Sequence, residues 1–151
     1  MERFRAQLIV HGALVFLAGL VAGFPFAFFE LGKLALWPIP GSVAVSLPGD
    51  VRGWRMAHLE GILNGLTLFA VAACFAYLRL NEREQRIVTW ALIITAWGNT
   101  IASALGPVFG ARGLEFGGGV ANSIMYLLFV AAIVAVFAAM VLVCRGALRR
   151  T

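Results

Sequence analysis

The sequence predicts an all-α integral membrane protein, a bundle of four transmembrane helices in a single domain that spans residues 1–151. Of its residues, 62% are hydrophobic and 13% are charged, whereas soluble domains average about 45–50% and about 25%. The apolar residues form four long runs, each near the roughly 20 residues that a helix needs to cross a bilayer. The two cysteines, Cys74 and Cys144, are too few for a disulfide scaffold, and we expect both to be free in the core.

The first predicted span covers residues 6–29. A charged start precedes its apolar run, as in a signal peptide. The run is longer than a signal sequence uses and no clear small-residue cleavage site follows it, so we expect a retained helix. Gly23, Phe24 and Pro25 interrupt the run and predict a kink or an early end of the helix.

The remaining spans are predicted at residues 54–77, 87–105 and 120–144. The connection LRLNEREQR, between the second and third spans, is short and charged, which is typical of a tight turn between helices in water. The other two connections are long and rich in glycine, so neither is expected to be helical throughout. Both are expected on the same side of the membrane, where Trp37 would lie at the interface.

Lysine and arginine residues are distributed unevenly between the two sides of this membrane domain. The side with both termini and the short connection carries eight of them, and the side with the long connections carries four. The eight are Arg3, Arg5, Arg79, Arg83, Arg86, Arg145, Arg149 and Arg150, and the four are Lys33, Arg52, Arg55 and Arg112. The positive-inside rule then predicts that both termini are cytoplasmic. Because the basic residues cluster at the ends of apolar runs, we attribute the net charge of +5 to topology and expect no nucleic-acid partner.

His58 lies about one turn inside the second predicted span. Ionisable residues in transmembrane segments are rare and indicate function, although a histidine near the interface also serves as a simple hydrogen-bonding group. Gly61 and Gly65 follow at i+3 and i+7, on the same helix face. Such a face permits close approach of another helix, or leaves a flat surface for a planar macrocycle. A single histidine beside a smooth face suits haem iron better than zinc, which takes three or four protein ligands.

Two further polar residues follow His58 in the same helix. Asn64 lies about 120° around an ideal helix from His58, so it need not contact the same partner within one subunit. It is predicted either to form an interhelical hydrogen bond or to face a ligand of a neighbouring subunit. Glu60 is predicted to pair with Arg55 or Arg112, and the alternative is a buried acid with a raised pKa.

The third predicted span carries Thr95, Asn99 and Ser103 at i, i+4 and i+8, which forms one polar stripe. Small polar residues join transmembrane helices, and a stripe of this kind also lines a pocket. We expect His11, in the first span, to be a structural hydrogen-bonding residue rather than a ligand.

The motifs around these residues resemble those of the bacterial styrene oxide isomerases. The resemblance is carried by LPGDVRGWRMAHLEGILNG at residues 47–65, by WGN at 97–99, by RGLEFG at 112–117 and by the His-Gly pair at 11–12. It implies a homotrimer that binds haem b at subunit interfaces through His58 as the axial iron ligand. It also implies that ferric iron acts as a Lewis acid on an epoxide oxygen, and that Asn64 lies in the substrate pocket.

Two positions depart from the pattern of that family. Thr95 replaces an aspartate and Ser103 replaces a tyrosine, and both family residues take part in substrate handling. The resemblance therefore implies a conserved haem site with an altered pocket.

Three functions remain open at this point. The first is an epoxide isomerase with a different substrate, for which Ser103 leaves room. The second is a membrane haem protein without isomerase activity, which serves in electron transfer, gas sensing or as an accessory subunit of a larger membrane complex. The third is a cofactor-free scaffold in which the glycines serve packing alone. The resemblance implies the bacterial inner membrane as the location, with the lipid bilayer and a small hydrophobic epoxide as the other partners.

Overall fold

A computed structural model describes residues 1–35 and 38–149, and its architecture is a bundle of four long helices. These are α1 (Glu2–Leu31), α2 (Val51–Cys74), α3 (Glu82–Phe109) and α4 (Val120–Leu148). Each is long and apolar enough to cross a membrane. The predicted four-helix membrane fold is therefore confirmed.

Helix α1 continues past the predicted interruption. It runs through Pro25 and ends at Leu31, where Gly32 takes a left-handed conformation with φ of 63°. Of the two predicted alternatives near Pro25, a kink or an early end of the helix, the early end was therefore wrong. Proline is tolerated inside transmembrane helices because neighbouring groups satisfy the carbonyl that its missing N–H leaves free.

In the described part of the long connection after α1, a minimal sheet is the regular secondary structure. Strand β1 (Lys33–Leu34) pairs with β2 (Val43–Ala44) in antiparallel register, with Lys33 opposite Ala44. This agrees with the expectation that the connection is not a helix throughout. Trp37, which we predicted at the membrane interface, lies outside the described residues.

A capping box forms the turn between α2 and α3. A short 3₁₀ turn (Phe75–Tyr77) follows α2, and the Asn81 side chain then accepts from the Glu84 N–H at 2.9 Å. The Glu84 carboxylate accepts from the Asn81 N–H at 3.0 Å, so two of the unpaired donors at the start of α3 are satisfied. The predicted tight turn is confirmed, and α3 extends beyond the predicted end at residue 105 to Phe109.

Helices α1 and α2 pack through glycines on both sides. Gly19 of α1 lies directly against Gly61 of α2, and a Cβ atom added to Gly19 would come within 2.6 Å of the Ile62 backbone nitrogen. Gly65 packs against Phe16, where an added Cβ would lie 2.7 Å from the Phe16 Cβ. Small residues allow this approach between membrane helices, where dispersion contacts drive association.

Both cysteines are free, as expected, but neither lies in the core. Cys74 and Cys144 are exposed on the outer surface of the helices. The expectation of a core position failed because a membrane helix can turn apolar side chains towards lipid as readily as towards its neighbours.

Candidate functional site

The imidazole of His58 is held by the backbone of α1. Its Nδ1 atom lies 2.8 Å from the carbonyl oxygen of Gly19. A carbonyl oxygen can only accept a hydrogen bond, so Nδ1 carries the proton and donates it. In the neutral ring this leaves a lone pair on Nε2, which has no hydrogen-bond partner among the described residues and is not enclosed.

One face of the His58 ring also packs against α1. Phe26 stacks against it with ring centroids 6.1 Å apart and an interplanar angle of 24°. Gly23 leaves the space for the imidazole, since a Cβ atom there would lie 2.9 Å from Nδ1. The packing of the His58 ring against α1 was not predicted from the sequence. Gly19 and Gly23, which lie one turn apart in α1, are the signal that could have indicated it.

The glycines beside His58 do not form the flat open surface that the sequence analysis expected for a cofactor. Gly61 and Gly65 are buried, and α1 covers their face through Gly12, Phe16 and Gly19. Of the two uses that the pattern allowed, the structure gives these glycines the close packing of helices. The spacing of Gly61 and Gly65 within α2 does not indicate which neighbouring helix covers their face.

Asn64 and Glu60 form a pair within α2. The Asn64 Nδ2 atom donates to the backbone carbonyl of Glu60 and to its carboxylate oxygen Oε2, each at 2.9 Å. Among the described residues, Glu60 forms no ion pair with Arg55 or Arg112, which corrects the expectation of such a pair. Asn64 is half-buried and contributes an intrahelical bond rather than the interhelical one predicted.

A cavity of about 190 Å³ lies between α2, α3 and α4 on the side of the long connections. Its polar lining includes Arg52, Arg112 and Ser103, and its apolar lining includes Met56 and Phe129. Ser103 is 5% exposed, and its buried hydroxyl has no hydrogen-bond partner among the described residues. Because an unpaired buried hydroxyl is costly, this atom is suited to a ligand that brings its own hydrogen-bonding group.

Thr95 does not line this cavity. Its hydroxyl lies 2.9 Å from the Ala91 carbonyl and 3.0 Å from the Ala132 carbonyl of α4, and it is buried. The structure therefore places Thr95 at the contact between α3 and α4, which corrects its prediction as a pocket residue. Of the two residues that depart from the family pattern, Thr95 and Ser103, only Ser103 lines the cavity.

His11 has the structural role that was expected for it. The indole Nε1 of Trp97 donates to His11 Nδ1 at 3.1 Å, which links α3 to α1.

Two loops build the outer wall of the cavity. Gly49, with φ of 93°, lies against Pro107, and a Cβ atom at Gly49 would be 2.6 Å from the Pro107 carbonyl oxygen. Asp50 then caps α2 by accepting from the Gly53 N–H at 2.6 Å. The two long connections therefore meet on the same side of the bundle, as predicted.

Asn122 holds the second of these loops and was missed in the sequence. Its Oδ1 accepts from the backbone N–H groups of Arg112 and Gly113, at 3.3 and 2.8 Å. Its Nδ2 donates to the carbonyls of Glu115 and Gly117, at 2.9 and 2.8 Å. An asparagine in the first turn of a helix after three glycines is the signal that could have indicated a loop anchor.

We expect Asn122→Leu to loosen the loop of residues 110–119. The change removes four hydrogen bonds, each worth about 0.5–1.5 kcal/mol net, so amide exchange in this loop should accelerate about tenfold or more. Asn122→Asp keeps the acceptor oxygen and loses the donors, so its exchange should be intermediate. Hydrogen-exchange mass spectrometry measures the effect, and equal exchange in all three proteins would contradict the anchoring role.

His58 and the cavity lie on opposite sides of α2 within one chain. Met56 lines the cavity, and two residues along a helix correspond to about 200° around its axis. Within a single chain, the Nε2 atom of His58 and the cavity therefore face different sides of α2.

The fold and these features define a class of small four-helix membrane proteins. In this class, Nδ1 of a histidine is hydrogen-bonded to a neighbouring helix and its Nε2 atom is accessible and unpaired among the described residues. Comparison with known families makes the assignment narrower. The family model for styrene oxide isomerase matches residues 4–148, so the chain belongs to the styrene oxide isomerase family. A styrene-oxide isomerase from Pseudomonas fluorescens is 26% identical over 118 residues, which cover 78% of this chain and 69% of that protein. The resemblance found in the motifs is thereby confirmed, and membership supports a related epoxide isomerase.

Proposed function

We propose that the protein is a haem b-dependent membrane isomerase that converts a small hydrophobic epoxide into an aldehyde. The observation that carries the proposal is the hydrogen bond from His58 Nδ1 to the Gly19 carbonyl. A hydrogen bond of this kind orients an imidazole and raises the basicity of its other nitrogen. The Nε2 nitrogen of His58 would thus be able to hold the haem iron, so the residues present fit the cofactor.

The reaction needs no second substrate. One C–O bond of the epoxide breaks, a substituent shifts to the neighbouring carbon, and the same atoms become an aldehyde. When bound, ferric haem supplies a Lewis acid that polarises the epoxide oxygen. The apolar lining around Met56 and Phe129 would limit access of water, which would otherwise capture the electron-poor carbon.

We propose further that the active unit is a homotrimer with haem at the subunit interfaces. Support comes from the separation of about 120° between His58 and Asn64 around α2, and from the position of the cavity on the far side of that helix. A neighbouring subunit would bring the two surfaces together. The distribution of lysine and arginine supports an inner-membrane location with cytoplasmic termini.

One observation favours a second candidate, a membrane haem protein without isomerase activity. The hydroxyl of Thr95 is committed to the contact with Ala132, and Ser103 has no acidic side chain bonded to it among the described residues. The cavity therefore offers a hydroxyl at its buried end without a paired acid. Such a pocket would still bind a small ligand beside haem.

The deciding experiment uses the full chain, expressed with added haem precursor and reconstituted in nanodiscs. Styrene oxide and a set of aliphatic epoxides are supplied to the ferric and the dithionite-reduced protein, and aldehyde is measured by gas chromatography. A Soret band with aldehyde from the ferric form alone supports the isomerase. A Soret band without aldehyde favours the second candidate, and the absence of a Soret band overturns both.

Filling the cavity at Ser103 should change the choice of epoxide. Ser103→Phe replaces a small side chain at the buried end, so KM for the bulkier epoxides should rise about tenfold or more, within the range of pocket-size discrimination. Ser103→Ala keeps the volume and should leave the size preference unchanged. Steady-state kinetics on a size series measure this, and an equal effect on small and large epoxides would argue against the cavity as the substrate pocket.

A further inference from the structure

The exposed end of the cavity between α2, α3 and α4 carries positive charge. Arg52 and Arg112 line the cavity and are exposed, and neither forms an ion pair with another described residue. Among the described residues of the lining, the acidic one is Asp50, whose carboxylate accepts from the Gly53 N–H at 2.6 Å. Two guanidinium groups are therefore balanced by one carboxylate that already has a partner, so this mouth is suited to a further anion.

The backbone at the amino end of α2 adds to this preference for an anion. Helix α2 begins at Val51, and Arg52 and Gly53 of its first turn line the cavity. The N–H groups of a first turn carry partial positive charge. Asp50 accepts from those of Gly53 and Trp54, whereas those of Val51 and Arg52 have no acceptor among the described residues. Free N–H groups at a helix start favour an anion.

A buried hydroxyl lies deeper in the same cavity. Ser103 is 5% exposed, and its Oγ has no hydrogen-bond partner among the described residues. Gly110, which follows the end of α3 and also lines the cavity, is seven residues further on, or about 10 Å along an ideal helix. Met125 and Phe129 of α4 add apolar lining. The cavity thus combines a cationic mouth, apolar walls and a polar inner end.

These three parts distinguish the cavity from a simple patch of interfacial arginines. Arginines at the end of a span ordinarily extend into water, which would account for Arg52 and Arg112 alone. It would not account for the hydroxyl of Ser103, because a buried hydroxyl without a partner is costly. A free inorganic anion would pair with the arginines but would leave the apolar walls and the hydroxyl without a partner. At about 190 Å³, the cavity is smaller than the roughly 300–1,000 Å³ of pockets for drug-sized ligands, so its ligand is small.

We propose that the cavity is a binding site for a small apolar carboxylate that carries a hydrogen-bonding group at its far end. Arg52 and Arg112 bind the carboxylate, whose two oxygens match the donor fork of a guanidinium, and Ser103 bonds the far group. No covalent bond forms or breaks in this complex. Because the epoxide is proposed to enter the same cavity, such an acid competes with it, and this competition alone rests on the proposed function above.

Equilibrium dialysis against the full chain in phosphatidylcholine nanodiscs measures the binding directly. The probe is 3-(4-hydroxyphenyl)propanoate, which is compared with its uncharged amide and with 3-phenylpropanoate, which lacks the hydroxyl. The probe should bind about tenfold or more tightly than the amide, because charge-assisted hydrogen bonds are strong, and about threefold or more tightly than 3-phenylpropanoate. Equal binding of acid and amide, or no binding beyond that of empty nanodiscs, would overturn the proposal. Displacement of the probe by an equal concentration of inorganic phosphate would also overturn it, since it would indicate a plain anion site.

Three variants assign the two ends of the ligand to their partners. Arg52→Gln and Arg112→Gln should each weaken binding of the probe about tenfold, while binding of the amide changes less than about twofold and reports that the cavity is intact. Ser103→Ala should abolish the advantage of the probe over 3-phenylpropanoate and keep its advantage over the amide. Arg55→Gln is the matched control, because Arg55 is exposed near the same end of α2 and is not part of the cavity lining. An equal loss in Arg55→Gln would mean that general positive charge attracts the acid, and the proposed site would be wrong.

Competition is measured separately, on protein that makes aldehyde. The probe should raise the apparent KM for the epoxide and leave kcat unchanged, because the two ligands exclude each other from one cavity. This effect should be about tenfold weaker in Arg112→Gln and unchanged in Arg55→Gln. A lower kcat at constant KM would contradict the shared cavity. Protein that binds the probe as described but makes no aldehyde supports the carboxylate site and contradicts the isomerase function, so the two failures can be told apart.

Discussion

Replacing His58 by alanine is expected to remove haem from the purified protein almost completely. The imidazole is the donor whose Nδ1 proton is committed to the Gly19 carbonyl, and its Nε2 is the open nitrogen. Without it, a bound macrocycle would keep dispersion contacts and lose its metal–ligand bond. The haem-to-protein ratio should therefore fall about tenfold or more, since loss of even a group that only supports a metal ligand costs about 10–100-fold in affinity. The pyridine haemochrome assay and the Soret absorbance measure this ratio.

The other histidine gives the matched control. His11→Gln retains an acceptor for the Trp97 indole N–H, so the fold and the haem content should stay close to those of the wild type. If both variants lose haem equally, the cause is general destabilisation. If His58→Ala keeps its haem, another residue ligates the iron and the proposed assignment fails.

The second large effect is expected at the crossing of α1 and α2. Gly61→Val would drive its Cβ atom into the backbone of Gly19, and a backbone cannot move aside as a flexible side chain can. Overpacking costs about 1–3 kcal/mol in a core and occasionally more, and two helix backbones in contact should give a cost at or above the upper end. The His58 bond to Gly19 would break as the helices separate.

Thermal stability in detergent, followed by size-exclusion chromatography after heating, measures this effect. Ala70→Val provides the control, because Ala70 is on the exposed side of the same helix and the change ends in the same β-branched side chain. A strong loss of folded protein for Gly61→Val and none for Ala70→Val is expected. Equal stability of both variants would mean that α1 and α2 do not approach so closely.

The sequence predicted the bundle well because hydrophobic length is a strong constraint in a membrane. The four spans, the capped turn at Asn81 and the meeting of the two long connections were all within reach of composition and spacing. The errors in the fold concern places where a proline or a cysteine behaves differently in lipid than in water. Pro25 lies inside α1, and Cys74 lies on the outer surface of α2.

The site was predicted less completely, since its residues depend on contacts between elements. His58 was singled out as an isolated polar residue, but its partner Gly19 is 39 residues away. The glycine pattern around His58 had two interpretations, and only the position of α1 distinguishes them. Thr95 likewise appeared with Ser103 in one stripe, although Thr95 contacts α4 and Ser103, about two turns further along α3, lines the cavity.

Arginine hydrogen bonds hold together the end of the bundle at which the chain termini lie. Arg79 donates to the Arg149 carbonyl and Arg149 donates to that of Arg79, at 3.1 and 3.3 Å, and Arg149 also bonds Glu84 at 2.8 Å. The end of α4 is thereby tied to the turn before α3, at the terminal side of the membrane domain. We therefore expect the helices to be able to separate at the opposite end, where the cavity lies, without breaking these hydrogen bonds. A hydrophobic molecule dissolved in the bilayer would then enter between the helices there, without any dedicated gate.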